Sequence, residues 1–105
     1  MGQPTLQTVT ANGIEFAYYE VGTGPLVLMV HGFPDAADTW LPLMPALAAA
    51  GFRCVAPYTR GYAPTAAPEV PMVGGKPDYS VYSALELGRD VLALIDALLA
   101  EENKA

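Results

Sequence analysis

Five apolar residues in a row, Leu26-Val27-Leu28-Met29-Val30, lie between Gly22-Thr23-Gly24-Pro25 and His31-Gly32-Phe33-Pro34 and constrain the fold more than any other segment. A run that short, framed by turn formers, reads as a strand, and a strand with no polar position offers no face to water. Such strands belong to parallel sheets covered by helices, so a crossover helix and a second parallel strand must follow. Residues 38–50 read as the helix, with Asp38 as its amino-terminal cap, Gly51 as its stop, and Pro42 and Pro45 making the first turn irregular. Phe52-Arg53-Cys54-Val55-Ala56, closed by Pro57, reads as the second strand. Together these segments form a βαβ unit.

A hairpin precedes this unit. Asn12-Gly13 supplies the two positive-φ positions of a type I′ turn within residues 6–20, and Ile14, Phe16 and Tyr18 alternate with Glu15, Ala17 and Tyr19. Residues 57–79 are rich in Pro and Gly without periodicity and read as a long loop. A final helix then begins at a capping box of Ser83 and Glu86, with Tyr82 and Leu87 placed for a hydrophobic staple. Leu85, Gly88, Leu92, Ile95 and Leu99 fall on one stripe of that helix, and Leu87, Val91, Leu94 and Leu98 on the next. The two stripes make one broad apolar face expected to be buried, with Glu86, Arg89, Asp90 and Asp96 towards solvent. The expected architecture is α/β: an amino-terminal β-hairpin plus a βαβ unit, about four strands in all, with two main helices.

Composition narrows the function classes. The 105 residues are 52% apolar and 15% charged, which excludes a disordered tail. A net charge of −6, with Lys and Arg dispersed, gives no surface for neutralising phosphates, so no nucleic acid partner is expected. No apolar run approaches the roughly 20 residues that span a bilayer, and no secretory signal opens the chain, so a cytoplasmic protein without membrane association is expected. The single Cys54, in a predicted strand, reads as a small buried hydrophobe in a reducing compartment. Gly22-Thr23-Gly24 lacks the third glycine of a dinucleotide fingerprint, and Gly74-Gly75-Lys76-Pro77 fails as a phosphate loop. His31, Asp35 and Asp38 are too few to hold a metal, so neither metal nor cofactor is expected.

Five motifs in order carry a resemblance: His31-Gly32-Phe33-Pro34-Asp35, Asp38-Thr39-Trp40, Gly51-Phe52-Arg53, residues 56–62 (Ala-Pro-Tyr-Thr-Arg-Gly-Tyr), and residues 88–96 (Gly-Arg-Asp-Val-Leu-Ala-Leu-Ile-Asp). The chain resembles the amino-terminal part of the α/β-hydrolase fold, closest to the epoxide hydrolase and haloalkane dehalogenase branch. The resemblance implies that residues 1–105 form the first part of such a domain, ending before the nucleophile elbow. Neither Gly-x-Ser-x-Gly nor its Asp counterpart occurs in the sequence. It also implies hydrolysis of an epoxide or ester through a covalent intermediate, with the Phe33 amide as one oxyanion donor and the Phe33 ring in the pocket wall. Gly32 lets the backbone approach the ligand and Pro34 stiffens the turn.

In that family the catalytic histidine follows the nucleophile and the acid in chain order. The resemblance therefore makes His31, the single histidine, a structural member of the oxyanion loop. Arg60 and Tyr62 match a loop that braces the oxyanion turn, with Arg60 either bonded to carbonyls or Asp35 or else solvated, although Tyr58, Ala63 and Thr65 replace the Asp, Gly and Ser common there. Trp40 either touches substrate or anchors the helix start. Two readings follow: a hydrolase segment that takes a small-molecule substrate only when completed by the missing carboxy-terminal part, or a non-catalytic, hydrolase-derived module that binds a partner. Under either, the strand at 26–30 becomes an exposed edge suited to self-association, and the chain alone is expected to be inactive.

Overall fold

The computed structural model describes residues 3–31 and 36–104. Strands β1 (Thr5–Ala11) and β2 (Ile14–Val21) pair antiparallel with Ala11 opposite Ile14. The turn between them uses positive φ at Asn12 (49°) and Gly13 (72°), the geometry that Asn-Gly favours. β2 continues antiparallel to β4 (Arg53–Pro57), and β4 is parallel to β3 (Leu26–Leu28), so the sheet order is β1-β2-β4-β3. β3 lies at the edge, as expected. Its regular pairing is shorter than the apolar run, although the Met29 amide still donates to the Val55 carbonyl at 2.8 Å.

Alternation explains why β3 is apolar throughout. Val27 and Met29 pack into the core on one face of the sheet, with Ala17, Val21, Met44, Cys54 and Ala56. Leu26 and Leu28 pack against the other core, built on Ile14, Phe16, Tyr18, Val55, Leu94 and Leu98. The Cys54 thiol is fully buried, and desolvation pushes its pKa up, in keeping with a packing role. Gly22 (φ 93°) and Gly24 (φ 126°) carry the chain into β3 where a Cβ would stand 2.2 Å from the Phe52 carbonyl and 1.9 Å from the Gly51 carbonyl, respectively. Gly-Thr-Gly is therefore a backbone-packing element.

The segment after residue 35 is irregular, as its prolines require. A 3-10 turn (Ala37–Trp40) leads into the short helix α1 (Met44–Ala49), which carries Pro45 in its first turn and stops before Gly51 (φ 98°). Asp38 does not cap it: no side chain caps the 3-10 turn, and the Asp38 carboxylate instead accepts from the Tyr58 hydroxyl. The region read as a long loop also contains a small ribbon, β5 (Met72–Val73) with β6 (Lys76–Pro77), turned through Gly74 and Gly75 at positive φ, and a 3-10 turn at Tyr79–Tyr82.

Helix α2 (Ala84–Lys104) starts where the capping box predicts, with the Glu86 amide donating to Ser83 Oγ at 3.3 Å. Arg53, buried at the start of β4, ties the helix to the sheet by donating to the Leu98 carbonyl and to Glu20, each at 3.0 Å. Only part of the broad apolar face is covered. Leu94 and Leu98 are buried, whereas Leu85, Leu92 and Leu99 are 64%, 67% and 39% exposed. Asp90 is the reverse case: it was expected in solvent and is buried on the side of Leu94 and Leu98. No helix among the described residues is long and apolar enough to cross a membrane.

Candidate active-site face

Parallel strands β3 and β4 end on the same side of the sheet, where α/β folds place their ligands. His31 follows β3 and is buried, and its Nε2 accepts a hydrogen bond from the Thr59 amide, just beyond β4, at 3.0 Å. An imidazole nitrogen that accepts from an amide carries no proton, so this contact assigns the neutral ring with its hydrogen on Nδ1. Tyr62 meets the His31 ring edge-on with centroids 4.7 Å apart, and Tyr58 does so at 6.4 Å. Burial first, then hydrogen bonds to Asp38 and Tyr19, pushes the Tyr58 hydroxyl above its ordinary pKa, keeping it a neutral donor.

Arg60 is buried, and its guanidinium forks onto Asp90: Nε donates to Oδ2 and Nη2 to Oδ1, both at 2.6 Å. Its Nη1 donates to the Val81 carbonyl at 2.8 Å, and Asn12 Nδ2 adds a further bond to Asp90 Oδ1 at 2.9 Å. The Asp90 hydrogen bonds hold the guanidinium protonated, raising its pKa further against the opposing cost of burial. One carboxylate thus joins the hairpin turn, the loop after β4 and helix α2. Thr65 closes the loop from the other end: its buried hydroxyl donates to the Tyr58 carbonyl at 2.7 Å and accepts from the Ala17 amide at 2.9 Å. The Thr65 hydroxyl thus ties the loop after β4 to β2, a pair of bonds that a Ser hydroxyl could also make.

A mostly apolar cavity of about 430 Å³ opens here, and Phe16, Val30, Tyr62 and Leu94 line it together with His31, Arg60 and Asp90. Of the residues singled out from sequence, His31, Arg60 and Tyr62 converge here. Trp40 does not border the cavity; it packs against the core that contains Met44 and Cys54. Gly32, Phe33, Pro34 and Asp35 lie outside the described residues. Arg60 takes Asp90 as its carboxylate partner, a residue that sequence reasoning missed. The available signal was its spacing, since Asp90, Leu94 and Leu98 recur every four residues on one helix face. Among the described residues no cluster of three or more His, Cys, Asp or Glu side chains could hold a metal ion.

The profile of the α/β-hydrolase fold matches residues 25–103. The chain belongs to the α/β-hydrolase fold family. Its relatives place it on the epoxide hydrolase branch. An epoxide hydrolase of Caballeronia sordidicola is 42% identical over 90 residues, covering 86% of this chain and 25% of that protein. Epoxide hydrolase A of Mycobacterium tuberculosis is 36% identical over 103 residues, covering 96% of this chain and 30% of its own length. The crystal structure of an epoxide hydrolase from Vigna radiata superposes with a TM-score of 0.79 at 41% identity, over 91% of this chain and 29% of that one. This α/β-hydrolase chain therefore spans between a quarter and a third of the length of these relatives, and its four-stranded sheet is a partial version of the family fold.

Proposed function

We propose that this chain supplies the oxyanion-binding part of an α/β hydrolase that opens a small epoxide or ester through a covalent intermediate. The observation that carries the reading is the seating of His31. Fixed by the Thr59 amide and the Tyr62 ring, it anchors the start of the Gly32-Phe33-Pro34 segment at the end of β3. Forming and hydrolysing a covalent enzyme ester develops negative charge on an oxygen, and a preorganised amide aimed at that oxygen contributes about 3 kcal/mol. The Phe33 amide is that donor, with Gly32 admitting the ligand and Pro34 holding the turn. The Phe33 and Tyr62 rings contribute pocket wall. His31 already spends Nε2 on an amide donor, so the nucleophile, acid and base come from polypeptide other than these 105 residues, and the chain by itself turns over neither substrate class.

A graft tests this. Residues 1–105 are exchanged for the matching segment of the Caballeronia sordidicola epoxide hydrolase, and the chimera and the isolated chain are assayed on an aryl epoxide and a chromogenic ester. The chimera is expected to hydrolyse the epoxide, and Phe33→Pro, which deletes the donor, to slow it about 100-fold or more. Turnover by the isolated chain, or a Phe33→Pro chimera as fast as its parent, would contradict the proposal.

A further inference from the structure

His31 and Asp38 stand on either side of the segment that carries Phe33, and each reaches one of two consecutive residues just beyond β4. On the near side the Thr59 amide donates to His31 Nε2 at 3.0 Å, and the Thr59 hydroxyl lies 3.3 Å from the same nitrogen. On the far side the Tyr58 hydroxyl donates to the Asp38 carboxylate. The stretch from 31 to 38 is thus pinned at both ends to one point of the sheet.

Tyr58 is a fixed post. It is buried, its amide donates to the Ala17 carbonyl at 2.9 Å, and its carbonyl accepts from the Thr65 hydroxyl at 2.7 Å. Its ring packs against Tyr19 with centroids 5.9 Å apart, and its oxygen lies 3.3 Å from the Tyr19 hydroxyl. Asp38 is the opposite case, an exposed residue in a 3-10 turn that no side chain caps. Ala37 and Trp40 hold that turn by apolar packing, which carries no direction. Among the described residues, the Tyr58–Asp38 bond is the one side-chain hydrogen bond that joins residues 36–40 to another element. A hydrogen bond to a carboxylate is directional and charge-assisted, so it sets the orientation that packing leaves free. Neither residue borders the cavity, so the bond acts on the segment rather than on a ligand.

We infer that Tyr58 and Asp38 are positioning residues for the oxyanion amide, fixing the exit of the Phe33 segment as His31 and Thr59 fix its entry. The inference rests on the hydrolytic reading and adds two residues to it. Tyr58 stands where Asp is common in the family's loop, so the hydroxyl donor is a departure of this sequence from that pattern. A displaced amide weakens a contact made in the transition state, and the loss therefore falls on kcat.

In the Caballeronia sordidicola chimera, Tyr58→Phe and Asp38→Ala are each expected to lower kcat about tenfold without raising KM, and Asp38→Asn, which keeps an acceptor oxygen, to stay within about threefold of the parent. A merely structural bond would slow the enzyme by the same factor whatever residue stands at 33. Here Tyr58→Phe is expected to slow the Phe33→Pro chimera no further, because the amide it positions is already gone. In the 105-residue chain, Tyr58→Phe is expected to speed deuterium exchange at the Thr39 and Leu41 amides, which donate to the Ala36 and Asp38 carbonyls at 3.1 Å. The Met29 amide, bonded to the Val55 carbonyl, is expected to keep its rate. Parental kcat in Tyr58→Phe, equal slowing with and without the Phe33 amide, or unchanged exchange at Thr39 and Leu41 would each overturn the inference while leaving the Phe33 donor standing. A Phe33→Pro chimera as fast as its parent, or a chimera that opens no epoxide, would overturn the donor itself and this inference with it.

Discussion

Asp90→Ala is the most informative single perturbation of the fold. The substitution removes a carboxylate that accepts two bonds from Arg60 at 2.6 Å and one from Asn12 at 2.9 Å. It leaves a guanidinium whose side chain is 6% exposed with the Val81 carbonyl as its remaining described acceptor. Each charge-assisted bond contributes about 1.5 to 3 kcal/mol, but the larger effect is the stranded cation: breaking one side of a buried pair costs about 3 to 5 kcal/mol. A domain of this size has a total stability of about 5 to 15 kcal/mol, so the loss is a third or more in most cases. At about 4 to 8 °C per kcal/mol the melting temperature should fall by at least about 12 °C. Urea unfolding followed by far-UV circular dichroism, with an unchanged m value, measures it.

Two companions separate charge from packing. Asp90→Asn, which keeps one acceptor oxygen, should cost less than Asp90→Ala. Arg60→Met combined with Asp90→Leu should recover most of the stability, because it removes both desolvation costs together. These companions also decide the matter where Asp90→Ala does not fold. An Asp90→Ala protein within about 1 kcal/mol of wild type would refute the reasoning, as would an apolar pair no more stable than the single variant.

Thr65→Val keeps the shape but orphans the Ala17 amide and the Tyr58 carbonyl, and should cost about 2 to 3 kcal/mol, whereas Thr65→Ser should stay close to wild type in the same urea assay. Gly24→Ala adds a backbone collision 1.9 Å from the Gly51 carbonyl to an unfavourable φ, so it should destabilise by well over the roughly 1 kcal/mol expected of Gly51→Ala, whose Cβ meets open space. Alkaline stability should follow Tyr18, whose phenol is pushed up to about 12 from 10.0 by burial and then by Glu101 and Glu20. The folded chain keeps that proton where the unfolded chain has lost it. Its stabilisation is therefore complete below pH 10 and falls as pH rises to about 12, by about 2 to 3 kcal/mol, and Tyr18→Phe should flatten that slope in a pH titration of urea unfolding.

Local chemistry made the hairpin and the start of α2 legible in the sequence. Asn12-Gly13 and Ser83 with Glu86 each satisfy their own backbone geometry within a few residues, and the structure keeps both. The fully apolar strand was legible because two cores need it. Asp90 was misplaced because a helical wheel assigns charge to solvent, and the cation that buries it lies thirty residues away in sequence. Asp38 looked like a cap, yet its partner is the Tyr58 hydroxyl across the fold, a contact that spacing does not encode. The ribbon at Gly74-Gly75 has strands of two residues each, too short for alternation to register. The glycines of the failed phosphate-loop match, Gly74 and Gly75, make that turn at positive φ. In the site, His31, Arg60 and Tyr62 were found through motif order, while Thr65 and Asp90 act through tertiary hydrogen bonds.

The Thr65 hydroxyl gives this protein an internal reporter. The Ala17 amide lies within β2, but its acceptor is a loop side chain rather than a neighbouring strand, and the Ala17 carbonyl likewise receives the Tyr58 amide. Its deuterium uptake therefore follows the detachment of the 58–65 loop, while uptake at Phe16 and Tyr18, aligned with Val9 and Gln7 of β1, follows the parting of the hairpin. Comparing adjacent amides along one strand would resolve two opening events in a single exchange experiment, and would show which yields first when the loop after β4 is disturbed.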